Sequence, residues 1–249
     1  MSERPYCLSI AGFDPSAGAG LLADIKTMEQ LEVYGLGVLT ANTIQNDIQF
    51  NSVHWTPEYE ITHQIDLLFN RFRIEVVKIG LIRSLVELNQ VIDHLFKKNN
   101  QIKIIWDPIL SASAGFQFHT EVAIDLLSTI LQKCYLVTPN IPELERLSNG
   151  SKKENLESII RHTNVLLKGG HGTSNESIDT LYTQGTVIEL KTKRLSKTEK
   201  HGTGCILSSA IAAETAKRNP LKDACQLAKV YTTSIISSND TKLGYHFHG

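Results

Sequence analysis

The sequence predicts an α/β fold: a mostly parallel central sheet sandwiched between layers of helices, in a single domain spanning residues 1–249. Three observations predict it. Short β-branched-rich apolar runs recur along the chain, and a stretch with helical apolar spacing follows most of them. The runs are nearly continuous in hydrophobicity, as expected of parallel strands covered on both faces. A length of 249 residues suits one sizeable buried core.

The strands expected in order are Tyr6–Ala11, Val38–Ile44, Val76–Ile79, Ile102–Trp106, Tyr135–Thr138 and Val165–Lys168. Helical faces lie between and after them. Leu21, Ile25 and Met28 make one, Ile65, Leu68 and Phe69 a second, and Ile206, Ala210 and Ile211 a third. Ser148 to Lys153 reads as a surface turn between helices. Asn175–Ser177 and Gln184 to Thr186 bracket a hairpin of Asp179–Tyr182 with Val187–Leu190. His246 and His248 read as exposed tail residues.

Composition narrows the function classes. A formal net charge of −1 leaves no electrostatic footprint for nucleic acid or an anionic membrane, so the expected partner is a small molecule. No apolar run approaches the roughly 18 residues that span a bilayer. Met1 to Pro5 run directly into the first strand, which leaves no room for a signal peptide. Cys7, Cys134, Cys205 and Cys225 form no C-x-x-C pair, so reduced thiols and a cytoplasmic setting are expected.

In an open α/β sheet, ligands bind beyond the carboxyl ends of the strands. The residues ending these strands are polar or glycine. Gly12 to Gly20 follow the first, Gln45-Asn46-Asp47 the second and Gly80 the third. Asp107-Pro108 end the fourth, Pro139-Asn140 the fifth with Glu143 close behind, and Lys168 to His171 the sixth. Each has a plain turn-forming explanation; their gathering on one edge points to a shared site.

His201-Gly202-Thr203-Gly204-Cys205 leads straight into a helix. Glycines there let the first free N–H groups point at a phosphate, and the helix dipole favours the anion. Gly202 and Gly204 are therefore read as shaping an anion hole. Cys205, in the first turn, is the candidate base, with a thiol pKa expected to fall below its ordinary value. Lys168 ends an apolar strand, a costly place for an ammonium unless it meets an anion. Asn140 and Glu143 are hard oxygen donors suited to Mg2+, and Asp107 joins Glu143 as a candidate metal ligand. Cradle, cation, metal site and base make a phosphoryl-transfer set.

Gly18-Ala19-Gly20-Leu21-Leu22-Ala23 fits the dinucleotide pattern G-x-G-x-x-A, but Gly12 to Ala17 separate it from the strand, and the second strand ends without a ribose-holding carboxylate. A Walker A lysine, a G-x-S-x-G elbow and an H-E-x-x-H helix are all absent from the sequence.

These segments resemble the hydroxymethylpyrimidine/phosphomethylpyrimidine kinases of thiamine biosynthesis, within the ribokinase-like superfamily. Ala11 to Asp24 is similar to the family's A-G-S-D-P-S-G-G-A-G-x-x-A-D loop, and Thr40 to Asn46 to T-A-x-x-x-Q-N. Lys78 to Leu81 resembles K-I-G-M, Thr138 to Glu143 T-P-N-x-P-E, Lys168 to His171 K-G-G-H, and His201 to Cys205 H-G-T-G-C. The resemblance implies a ribokinase-like α/β/α sandwich that transfers phosphate from Mg-ATP to a hydroxymethylpyrimidine, its monophosphate, or both. Gly12, Asp24, Gln45, Leu81 and Ile109 would surround the pyrimidine. Asn140, Lys168, Gly170 and Thr203 would address ATP, and a homodimer is implied. Phe13, Ala17 and Leu81 depart from the usual small residue, glycine and methionine. Ser111 to Gly115 and the ending Leu243 to Gly249 depart as well. A pyridoxal or pyridoxine kinase with the same catalytic parts is the nearest alternative, and a non-catalytic pyrimidine-binding domain the other.

Overall fold

The structure, a computed structural model, describes residues 4–109, 124–147, 152–169, 176–195 and 200–246. The first half runs β1 (Tyr6–Phe13), α1 (Gly20–Gln30), β2 (Tyr34–Gln45), β3 (Phe50–Trp55), α2 (Glu58–Arg71), β4 (Ile74–Ile79), α3 (Leu85–Lys98) and β5 (Lys103–Trp106). The second half runs α4 (Ile124–Lys133), β6 (Leu136–Val137), α5 (Ile141–Arg146), α6 (Lys152–Ile160), β7 (Asn164–Leu167), β8 (Glu176–Thr183), β9 (Thr186–Lys193), α7 (Thr203–Ala216) and α8 (Leu221–Ser237). One nine-stranded sheet takes the order β3-β2-β1-β4-β5-β6-β7-β8-β9. Its six central strands are parallel, while β3 pairs antiparallel at one edge and the β8–β9 hairpin extends the other. The expected mostly parallel three-layer sandwich is the observed fold.

Alternation along the strands divides the core in two. Leu8, Ile10, Val77, Ile79, Ile104 and Trp106 face a cluster built from α2 to α6. Cys7, Val76, Ile105, Leu136 and Leu166 face the opposite cluster, formed with α1, α7 and α8. Each is the expected outcome of a continuous apolar strand. α7 is buried from Cys205 to Thr215, which explains why its small residues Ser208, Ser209, Ala210, Ala212 and Ala213 read weakly as an amphipathic face. The four cysteines are free and buried.

Several boundaries differ from expectation. β3 went unread because Phe50-Asn51-Ser52-Val53-His54-Trp55 is a half-exposed edge strand without apolar alternation. Of Tyr135–Thr138 only Leu136–Val137 form the strand proper. Glu176 and Ser177 already belong to β8, and Lys152 and Lys153 to α6, so neither pair is turn. Ser148 to Ser151 lie outside the described residues. His246 is half-buried rather than a free tail residue, its Nδ1 2.9 Å from the Tyr231 hydroxyl; His248 lies outside the described residues. Among the described residues no helix is long and apolar enough to cross a membrane.

Candidate active site

The chain leaves β1 toward β2 on one side and β4 begins on its other side, so the connections change direction between β1 and β4. A crevice at the carboxyl ends of the strands is the consequence. Gly12 and Leu81 border it: a Cβ on Gly12 would lie 2.8 Å from Leu81 Cδ2. The Thr40 hydroxyl donates to the Leu81 carbonyl (2.5 Å) and holds that backbone. β2 continues past β1, with Phe13 opposite Asn42 and the Thr43 hydroxyl donating to the Phe13 carbonyl at 2.7 Å. Gln45 shares the face of Ala41 and Thr43, three residues or about 10 Å further out. Ile109 is half-buried, its N–H bonded to the Asp107 carbonyl at 2.8 Å.

Strand alternation also builds the charged floor. Ser9, Lys78, Asp107, Thr138 and Lys168 each lie two residues beyond an apolar residue of the α1/α7 face, namely Cys7, Val76, Ile105, Leu136 and Leu166. They therefore project toward the N-terminus of α7 from neighbouring strands. Lys168 Nζ sits 2.9 Å from Asp107 Oδ1 and 3.5 Å from Glu143 Oε2. Thr138 donates to Asp107 Oδ1 (3.1 Å) and Ser208 to Oδ2 (3.2 Å). A Cβ on Gly204 would stand 3.4 Å from Lys168 Nζ, so the turn before α7 lies directly over this cluster. Gly202 caps α7 with φ +78°, and a Cβ there would meet the Gly18 carbonyl oxygen at 2.0 Å. Only glycine satisfies both conditions.

Asn140 and Glu143 form a capping box at α5. The Asn140 side chain accepts from the Glu143 N–H (2.8 Å), and Glu143 accepts from the Asn140 N–H (2.7 Å). This fixes the Glu143 carboxylate beside Lys168. Asn140 itself bridges to Lys168 through the backbone, extending the β6–β7 pairing. Asp107 is almost wholly buried and both its oxygens are engaged, whereas the Glu143 side chain keeps 13% exposure. Gly170 and Ser111 to Gly115 lie outside the described residues.

Asp24, expected beside the ring, is engaged in a buried ion pair. Its side chain is fully buried, with Oδ2 accepting from Ser9 (2.6 Å) and Lys78 (2.7 Å), while Oδ1 has no hydrogen-bond partner among the described residues. Lys78 is equally buried. The pair lies beneath the pocket and beside Cys205, and its role as a charged residue inside the K-I-G-L strand was not read from the sequence. Asp14 and His201, each inside one of the sequence motifs, also meet here, with Oδ2 and Nε2 2.9 Å apart.

The electrostatics correct one expectation outright. Burial pushes the Cys205 thiol up, to about 11, rather than down. Desolvation is the largest cause; Lys78 and the Gly20 N–H favour the thiolate, while Asp24 and Asp107 oppose it. Burial also acts first on Asp107, but Lys168 and Lys78 overcome it and hold that carboxyl below the ordinary range. Glu143 is held above its ordinary value by burial, with Lys168 only partly compensating and Asp107 adding to the rise.

Three carboxylates, Asp24, Asp107 and Glu143, thus share two buried ammonium groups, Lys78 and Lys168. Burial holds Asp24 as well as Glu143 above the ordinary carboxylate range. Among the described residues no group of three or more His, Cys, Asp or Glu side chains could hold a metal on its own, so the partly exposed Glu143 oxygen fits a hard cation that takes its other ligands from water and phosphate.

A glycine-shaped helix terminus over a lysine and paired carboxylates, at the carboxyl ends of a ribokinase-like sheet, is the arrangement of a small-molecule kinase. The phosphomethylpyrimidine kinase family's sequence pattern matches residues 14–249. The chain belongs to that family. It is 34% identical to the hydroxymethylpyrimidine/phosphomethylpyrimidine kinase of Aquifex aeolicus, over 95% of this chain and 96% of that protein. It is 35% identical to the thiamine biosynthesis bifunctional protein of Geobacter sulfurreducens, spanning 94% of this chain but only 49% of that longer protein. Among solved structures, a phosphomethylpyrimidine kinase from Clostridium difficile is similar at TM-score 0.77 and 31% identity, covering 92% of this chain and 98% of that one. The ADP complex of Bacillus subtilis pyridoxal kinase is similar at TM-score 0.81 and 25% identity, covering 94% and 92%.

Proposed function

We propose that this kinase transfers the γ-phosphoryl group of ATP to the hydroxymethyl oxygen of 4-amino-5-hydroxymethyl-2-methylpyrimidine, to the resulting monophosphate, or to both, in thiamine biosynthesis. The observation that carries the chemistry is the placing of Lys168, Asp107 and Glu143 directly beneath the glycine turn of α7. The ring occupies the crevice between Gly12, Leu81 and Ile109, and the Gln45 amide reads its edge. The substrate oxygen attacks the γ-phosphorus, the bond to the β-phosphate oxygen breaks, and ADP leaves.

Cys205 accepts the hydroxyl proton. It does so as the thiolate, after its own proton has passed to solvent; burial pushes the thiol up to about 11, so at neutral pH only a small ionised fraction serves as base. Gly202, Thr203 and Gly204 present backbone N–H groups to the transferring phosphoryl oxygens, and Lys168 adds its ammonium. Asn140 and Gly170 contact the nucleotide phosphates. Mg2+, held by Glu143 with Asp107 behind it, would neutralise phosphate charge when bound. Asp24 and Lys78 support the floor from below. We further propose that the whole chain acts as one domain and works as a cytoplasmic homodimer.

Incubation with Mg-ATP and hydroxymethylpyrimidine, followed by mass spectrometry, tests the reading. Successive mono- and diphosphate products are expected; monophosphate alone would limit the activity to the first step. If neither forms, from either pyrimidine as starting material, the reading fails. Pyridoxal kinase is the second reading, favoured by the structural similarity to the Bacillus subtilis enzyme but at lower identity than the pyrimidine kinases.

A further inference from the structure

The segment between β1 and α1 and the turn before α7 are fastened together by groups outside the reacting set. Asp14 is buried, with 1% of its side chain exposed. Its Oδ2 accepts from the Ala19 N–H (2.9 Å) and lies 2.9 Å from His201 Nε2. Its Oδ1 accepts from the Ser16 N–H (2.9 Å) and hydroxyl (2.8 Å). An ionised carboxylate only accepts, so Nε2 carries the proton in this contact. The backbone of the His201 turn is fixed separately. The His201 N–H donates to the Lys242 carbonyl (2.9 Å), and the Lys200 ammonium donates to the Asn239 and Thr241 carbonyls. The imidazole contact is therefore an addition to the turn, and what it adds is the far loop.

No slack separates the two segments. A Cβ on Gly18 would lie 2.8 Å from His201 Cδ2, and one on Gly202 would lie 2.0 Å from the Gly18 carbonyl oxygen. One segment leads from Gly12 to the substrate crevice, and the other opens the anion cradle at Gly202 to Gly204. A ligand that shifts either segment must therefore shift the other with it, so the contacts each ligand makes are felt at the other site.

We propose that His201 and Asp14 are positioning residues that couple the two sites, so that the ring substrate and the nucleotide each strengthen the other's binding. This rests on the kinase reading given above. The test measures, by calorimetry, the Kd of hydroxymethylpyrimidine without and with a saturating non-hydrolysable ATP analogue plus Mg2+. Wild type is expected to bind about 5-fold or more tightly with nucleotide present. His201→Leu should bring that ratio near one, and His201→Gln, whose amide N–H reaches the place of Nε2, should restore it. Should the Leu variant fail to fold, His201→Asn, whose amide stops short of Asp14, takes its place.

A ratio near one in wild type, or an unchanged ratio in the Leu or Asn variant, overturns the coupling. If wild type binds pyridoxal but no pyrimidine, the substrate reading falls, and the same comparison with pyridoxal decides the coupling.

Discussion

At the scale of single residues, Cys205 and Ala17 both sit where backbone and burial set terms that residue identity alone does not reveal. With its thiol near 11, the thiolate fraction of Cys205 rises about tenfold per pH unit throughout the neutral range. A reaction that draws on this base should therefore show kcat/KM climbing from pH 7 to 10 without levelling off. Cys205→Ala should lower kcat roughly 10²–10⁴-fold and flatten that climb, with little change in nucleotide affinity. An unchanged profile in the alanine variant would remove Cys205 from the base role.

Ala17 holds φ +57°, a left-handed conformation, where the family pattern has glycine. Ala17→Gly should relieve about 1–2 kcal/mol of strain, less the 0.5–1 kcal/mol that glycine's freedom in the unfolded chain costs. A rise in Tm of about 2 °C in a thermal melt is expected. A fall would show that the strain is absorbed elsewhere in the loop. The resemblance marked Ala17 as a departure; its positive φ is a property of the turn that only the folded loop exposes.

At the scale of elements, α7 sets the chemistry and depends on how tightly its first turn is packed. Gly202→Ala would impose a side chain on a left-handed residue and drive it into the Gly18 carbonyl. The expected result is a kcat loss of roughly 10²–10³, the scale of a lost anion-hole donor, together with a destabilisation of about 1–3 kcal/mol measured by denaturant unfolding. Retained activity with a lowered Tm would separate the turn's structural role from its catalytic one.

The H-G-T-G-C run was legible because glycines before a helix carry a strong local signal. Lys78 and Asp24 were not, since their meaning lies in a contact across 54 residues of sequence inside the core. The thiol's upward shift is not legible at the helix terminus either, because it comes from the burial of α7, which the local sequence does not display.

At the scale of the whole molecule, one alternation rule places the site. In five of the six parallel strands, the residue two places past an apolar position of the α1/α7 face is Ser9, Lys78, Asp107, Thr138 or Lys168. The strand ends are therefore largely readable from apolar runs and the polar residues that stop them, whereas the order of strands in the sheet is not. Nor is the edge strand β3, because half its surface faces solvent and periodicity fades there. On the proposed reading the choice of ring is likewise a whole-molecule property, since Gly12, Leu81 and Gln45 come from segments distant in the sequence.

The most direct measurement of the central claim is kcat/KM with Mg-ATP for hydroxymethylpyrimidine, its monophosphate and pyridoxal, assayed side by side through ADP release. At least one pyrimidine should exceed pyridoxal by tenfold or more. A clear preference for pyridoxal would leave the fold and phosphoryl-transfer residues standing and contradict the pyrimidine assignment.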